Sequence, residues 1–153
     1  MTCKLAELKL PPPKYLIASG SGAPHLPRNT EPIHDLPDGE FIGRLEQLNG
    51  TPREILSNSE LLEFLIPLLR ADFKIASDYQ AKPFTIACPI MVLGGDDDKD
   101  IGVDELNAWF ELSQDKTTLH IIPGDHFFIN TNQDRVVEKI MVAVDEIYSS
   151  LYV

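Results

Sequence analysis

The sequence predicts an α/β fold: about three parallel strands, packed between flanking helices. Three observations lead there. Short apolar runs closed by glycine or proline occur at Tyr15–Ala18, Pro89–Gly95 and Thr117–Ile122. Stretches with helical spacing of apolar residues separate and follow them, and this alternation is the pattern of strands joined by crossover helices. The chain has 153 residues, 43% hydrophobic and 24% charged, which suits one globular domain with a single core.

Taken in order, Leu5 and Leu8 suit the last turns of an amphipathic helix that Pro11-Pro12-Pro13 breaks. Tyr15-Leu16-Ile17-Ala18, closed by Ser19-Gly20-Ser21-Gly22, reads as a buried strand. Residues 22 to 39, rich in Pro, Gly, Asn and Asp, read as a loop. Phe41, Ile42, Leu45 and Leu48 then recur at helical spacing, with Asn49-Gly50 as the stop. Thr51-Pro52-Arg53-Glu54 and Ser57-Asn58-Ser59-Glu60 have the form of capping boxes, in which a side chain satisfies an orphan N–H of the first turn. Leu61, Leu62, Leu65, Leu68, Leu69 and Phe73 form a wide apolar stripe, and Pro67 inside it is expected to kink or divide the helix.

The second half alternates more clearly. Pro89 to Gly95 is apolar throughout, as a strand buried on both faces must be. Val103 to Leu112 reads as a helix with Leu106, Trp109 and Phe110 on one face. Thr117 to Ile122 reads as a third strand, closed by Pro123-Gly124. Asn130 to Gln133 is a cap for a last helix with a stripe of Val136, Val137, Ile140, Met141, Val144, Ile147 and Leu151.

Thirteen basic against 24 acidic residues leave a net charge of −11. That field repels nucleic acid and anionic lipid, so neither is expected as a partner. No apolar run approaches the roughly 18 residues that span a bilayer, and no signal peptide is visible, so a soluble cytoplasmic protein is expected. Cys3 and Cys88 are too few for a disulfide framework, and Cys88, ahead of Pro89, reads as buried packing. The four histidines show no metal-ligand spacing. A calcium loop started at Asp96 would have Ile101 and Asn107 where glycine and glutamate are needed. Neither metal nor cofactor is expected.

In open α/β sheets the working groups collect beyond the carboxyl ends of strands. Two such ends carry ionisable residues, Gly95-Asp96-Asp97-Asp98 and Gly124-Asp125-His126. One helix and one strand fit between them, which brings the two loops side by side. A carboxylate that accepts a hydrogen bond from one imidazole nitrogen leaves the other as a general base. His25, His34 and His120 have no comparable setting.

Acid then histidine, each in a loop after a strand, is the order found in α/β-hydrolases. Leu93-Gly94-Gly95-Asp96-Asp97-Asp98 and Pro123-Gly124-Asp125-His126-Phe127-Phe128 resemble type II thioesterases, the discrete hydrolases that accompany polyketide and nonribosomal peptide synthetases. Ala23-Pro24-His25 within Ser19–Pro27 is similar to the segment after the strand that follows the family's nucleophile. Leu36-Pro37-Asp38, Leu48–Pro52 and Leu68–Phe73 resemble its helical lid. The resemblance implies a single partial α/β-hydrolase domain over residues 1–153, with a lid insertion at about 36–80. It places the catalytic acid at Asp98, with Asp97 as the fallback, and the catalytic base at His126, with Phe127 and Phe128 beside the site. The implied partner is an acyl or peptidyl carrier protein bearing a phosphopantetheine thioester. No Gly-x-Ser-x-Gly pentapeptide is present. The first ten residues resemble the end of the helix that follows that elbow, so the chain is expected to be the C-terminal portion of the fold, with the serine before Met1. The alternative expectation is an inactive truncated remnant or a partner-binding fragment.

Overall fold

The computed structural model describes residues 2–27, 32–48, 50–82 and 84–150. In chain order its elements are α1 (Thr2–Glu7), β1 (Leu16–Ser19), a 3-10 turn (Ile33–Asp35), α2 (Asp38–Leu48), α3 (Arg53–Leu56), α4 (Ser59–Asp78), β2 (Ile90–Gly95), α5 (Val103–Asn107) continued by a 3-10 turn (Ala108–Leu112), β3 (Thr117–Ile122), α6 (Phe128–Thr131) and α7 (Gln133–Ser150). They fall into two compact units, residues 27–80 and the remainder.

The larger unit is built on a three-stranded parallel sheet in the order β1-β2-β3. Leu16 to Ser19 lie beside Ile90 to Leu93, and Ile90 to Gly95 beside Thr117 to Ile122. Strand side chains alternate between faces, and β2 shows the consequence. Ile90 and Val92 pack with Leu106, Trp109 and Leu112 on one face. Met91 and Leu93 pack with Phe128, Val136 and Ala143 on the other. Covered on both sides, β2 is apolar throughout, as expected for a parallel strand. Cys88 is also buried and free.

Several expectations are corrected in detail. The first strand is Leu16–Ser19, and of its residues only Ala18 is buried. Among the described residues it has one sheet neighbour, β2, and Ile17 stays 38% exposed. After Asn107 the helix tightens to 3-10 geometry, whose threefold turn aligns residues three apart. Leu106, Trp109 and Leu112 therefore face inward while Phe110 is turned out. Trp109 donates its Nε1–H to Ser21 O at 2.8 Å, tying this segment to the loop after β1. The last helix is preceded by α6, and its inward residues are Val136 and Ala143, with Ile140 half-buried. Val137 and Met141 are exposed. Leu151 and Asn49 lie outside the described residues.

The smaller unit is helical. Phe41 and Leu45 of α2 are buried. Phe73 meets Phe41 edge to face at 5.9 Å, and the Arg70 guanidinium lies 4.4 Å over the Phe41 ring. Arg70 also donates to Asp38 Oδ1 at 2.7 Å and to the His34 carbonyl. Pro67 does not divide α4, which runs unbroken from Ser59 to Asp78. The ring is exposed, and Arg70 and Phe73 hold the half beyond it. Neither expected capping box forms. Pro52, without a side-chain bond, takes the N-cap of the four-residue α3. Asn58 rather than Ser57 caps α4, its Oδ1 accepting Leu61 N–H at 3.1 Å. Asn58→Ala should therefore cost about 1 kcal/mol and Asn58→Ser a few tenths at most, read from urea unfolding midpoints; equal losses would place the cap elsewhere.

Among the described residues no helix is long and apolar enough to cross a membrane.

Candidate active site

Beyond its last strand residue, β2 continues to bond with β3. Asp96 N–H donates to Ile122 O at 3.0 Å, and Asp97 N–H to Gly124 O at 3.0 Å. Asp96 Oδ1 accepts Gly124 N–H at 2.8 Å. A Cβ on Gly95 would run into the carbonyl oxygens of Gly124 and Asp125, so only glycine lets the two loops approach this closely. Gly124 itself has φ 128°, in the region that side chains disfavour.

This approach brings together the two residues the sequence singles out. His126 Nδ1 lies 2.9 Å from Asp98 Oδ2. The Asp98 side chain is 1% exposed and that of His126 33%. The second carboxylate oxygen, Oδ1, accepts the N–H groups of Asp100 at 2.9 Å and Ile101 at 3.1 Å. Buried carboxylates need such partners, and here they also fix the direction of Oδ2. An ionised Asp98 can only accept, so Nδ1 carries the proton and Nε2 keeps its lone pair. Asp97, the fallback, points elsewhere. Its side chain is exposed and pairs with Lys99.

The histidine is also held from its own side. Asp125 Oδ1 accepts Phe127 N–H at 2.9 Å, and Phe128 N–H reaches Asp125 O at 3.0 Å. The Phe127 ring stands edge-on to the imidazole at 5.2 Å, while Phe128 is fully buried. Asn132 Nδ2 donates to Pro123 O at 2.7 Å. The end of β1 comes in beside the ring, since a Cβ on Gly20 would lie 3.6 Å from His126 Cε1.

The other histidines lie elsewhere. His25 Nε2 is 3.3 Å from Glu111. His34 sits in the helical unit near Ser77, 3.4 Å from its Oγ. His120 is on β3, where burial first, then Lys139 and Lys116, pushes its pKa down. Asp98, Asp100 and His126 could each turn one ligand atom toward a cation, those atoms lying within 4.8 Å of one another. Both Asp98 oxygens, however, already accept the bonds described above.

The structure thus brings together Asp98 and His126, the pair expected from the sequence, and adds Asp96, Asn132 and the Gly95–Gly124 approach, which the sequence pattern does not announce. The legible signal was a glycine at the end of each strand.

A Thioesterase domain family model matches residues 1–143. A curated relative, linear gramicidin dehydrogenase LgrE of Brevibacillus parabrevis, is 41% identical over 132 residues, covering 84% of this chain and 50% of the relative. Its name describes that protein; the family matched here is a thioesterase. ClbQ from the colibactin NRPS/PKS pathway superposes with TM-score 0.87 at 30% identity, covering 97% of this chain and 64% of ClbQ. YbtT, a type II thioesterase from the yersiniabactin NRPS/PKS pathway, gives 0.82 at 28% identity, covering 95% and 59%. The chain spans about half the length of the curated relative it matches. With its acid and histidine loops meeting at the carboxyl end of a parallel sheet and the domain match running through nearly all of it, the chain belongs to the thioesterase family of α/β-hydrolases, and type II thioesterases of NRPS/PKS pathways are among its homologues.

Proposed function

We propose that Asp98 and His126 are the acid and base of a serine-dependent hydrolase of acyl thioesters. The supporting observation is the 2.9 Å contact between a buried carboxylate and a partly exposed imidazole. The nucleophile would be a serine from polypeptide outside these 153 residues. Its Oγ attacks the thioester carbonyl carbon while His126 Nε2 takes the hydroxyl proton. Collapse of the tetrahedral adduct breaks the C–S bond, and the imidazolium returns the proton to the departing thiolate. Water, deprotonated by Nε2, then attacks the acyl-serine, and the serine leaves with that proton. Asp98 holds the tautomer and offsets the positive charge on the ring.

The substrate class is supported by the homologues, among them a type II thioesterase of an NRPS/PKS pathway. Acyl groups held as phosphopantetheine thioesters on acyl or peptidyl carrier proteins fit it, and release of aberrant acyl groups is the role proposed. Residues at about 36–80 are proposed as the helical lid insertion, within a single partial hydrolase domain spanning the chain.

The test is hydrolysis of a short acyl thioester, followed by thiol release. The chain alone should be inactive. Mixed with a separately produced amino-terminal half of a relative that carries a Gly-x-Ser-x-Gly elbow, it should turn the substrate over, and His126→Ala should abolish that activity. No thiol release from either mixture would leave a non-catalytic, partner-binding fragment as the better account.

A further inference from the structure

We propose that Asp96, the first carboxylate of the triplet, is a positioning residue that sets His126 against Asp98. The proposal rests on Asp98 and His126 being the acid–base pair. Two of the bonds joining the loops belong to the backbone and persist whatever side chain stands at residue 96: Asp96 N–H to Ile122 O and Asp97 N–H to Gly124 O. They extend the β2–β3 ladder past its last residue pair, Gly95 and Ile122. At Gly124 the chain turns away with φ 128°, and among the described residues no backbone acceptor meets its N–H. The Asp96 carboxylate does, at 2.8 Å.

Successive residues of one loop therefore grip both polar groups of Gly124, two residues ahead of His126. Asn132 holds the neighbouring Pro123 carbonyl from the other side at 2.7 Å. Without the carboxylate, the loop keeps one backbone bond at Gly124 and can pivot about it. A pivot of this kind moves the imidazole off the fixed Asp98 oxygen, and catalytic pairs tolerate only about half an ångström of such error.

Asp96 is solvent-exposed, so its bond should add little to global stability. That separates positioning from a merely structural role. The experiment uses the full chain and its Asp96→Ala, Asp96→Asn and Asp96→Ser variants. A Glu146→Gln variant is the remote control, since Glu146 pairs with Lys116 ahead of β3, at the opposite end of the sheet. The readouts are melting temperature and the solvent exchange of the downfield His126 Nδ1–H proton in NMR, assigned by its loss in His126→Gln. Asparagine keeps an acceptor oxygen at Oδ1 and should preserve the wild-type exchange within about twofold. Alanine should speed exchange by about tenfold or more with little change in melting temperature. Serine, whose hydroxyl falls short of Gly124, should act as alanine does and decides the matter if Asp96→Ala does not fold. Glu146→Gln should leave exchange unchanged. Wild-type exchange in both the alanine and serine variants overturns the proposal, as does an asparagine variant as fast as alanine. A wild-type protein with no protected Nδ1–H would overturn the acid–base pair itself, and this proposal with it.

Discussion

In the reconstituted hydrolase, Asp98→Asn should lower thioester turnover about ten-thousandfold while leaving KM within a few-fold of its original value. The reason lies in which atom changes. Oδ1 accepts the Asp100 and Ile101 N–H groups, and asparagine keeps an oxygen there, so the loop holds its shape. At the Oδ2 position facing His126 an amide NH2 replaces an acceptor. It donates to Nδ1, driving the ring proton to Nε2, where it blocks acceptance of the serine proton. The role proposed for this contact is in proton transfer rather than in holding substrate, so the loss should fall on kcat. A side chain acting only as structural support would instead lower the melting temperature along with activity, and full turnover by Asp98→Asn would remove Asp98 from the mechanism.

Gly95→Ala should cost about 1–3 kcal/mol and pull the two loops apart. The added methyl meets carbonyl oxygens of Gly124 and Asp125. These are backbone atoms and cannot rotate aside as a side-chain end could. Relief requires the histidine loop to move outward, which breaks the Asp98–His126 contact. Urea unfolding and the His126 Nδ1–H signal measure the two effects separately. Gly43→Ala in α2 is the counterpart, with nothing within 4 Å of the added methyl. Removing a helix-interior glycine there should stabilise by about 0.5–1 kcal/mol. A Gly95→Ala protein with unchanged midpoint and intact signal would show that the loops have room the packing denies.

The legible parts of the fold were those written locally. The apolar run of β2 could be read because a strand covered on both faces admits no polar residue. The inward positions of α7 were read only in part, because Val137 and Met141 extend the apolar stripe past the arc that the sheet covers. Phe110 leaves the face that a 3.6-residue turn would give it because the chain tightens to three residues per turn there. The cap of α3 falls on Pro52, which offers no side-chain acceptor, and that of α4 on one of several adjacent oxygen-bearing side chains, Ser57, Asn58 and Ser59. Backbone direction at Asn58, extended with φ −106° and ψ 103°, decides which one reaches the helix.

The candidate site divides along the same line. Order and spacing point to two consecutive loops after strands that carry a carboxylate cluster and a histidine, because the carboxyl ends of parallel strands lie on one rim; the family resemblance adds the choice of Asp98, with Asp97 as the fallback. What turns Asp98 rather than its neighbours to the imidazole is tertiary. Gly95 lies opposite Ile122 in the sheet, and from that pairing Asp96 is turned to Gly124, Asp97 to solvent and Asp98 to His126. A hydrogen bond is lost over a fraction of an ångström, a scale that strand register and loop packing set and that residue order along a chain does not carry.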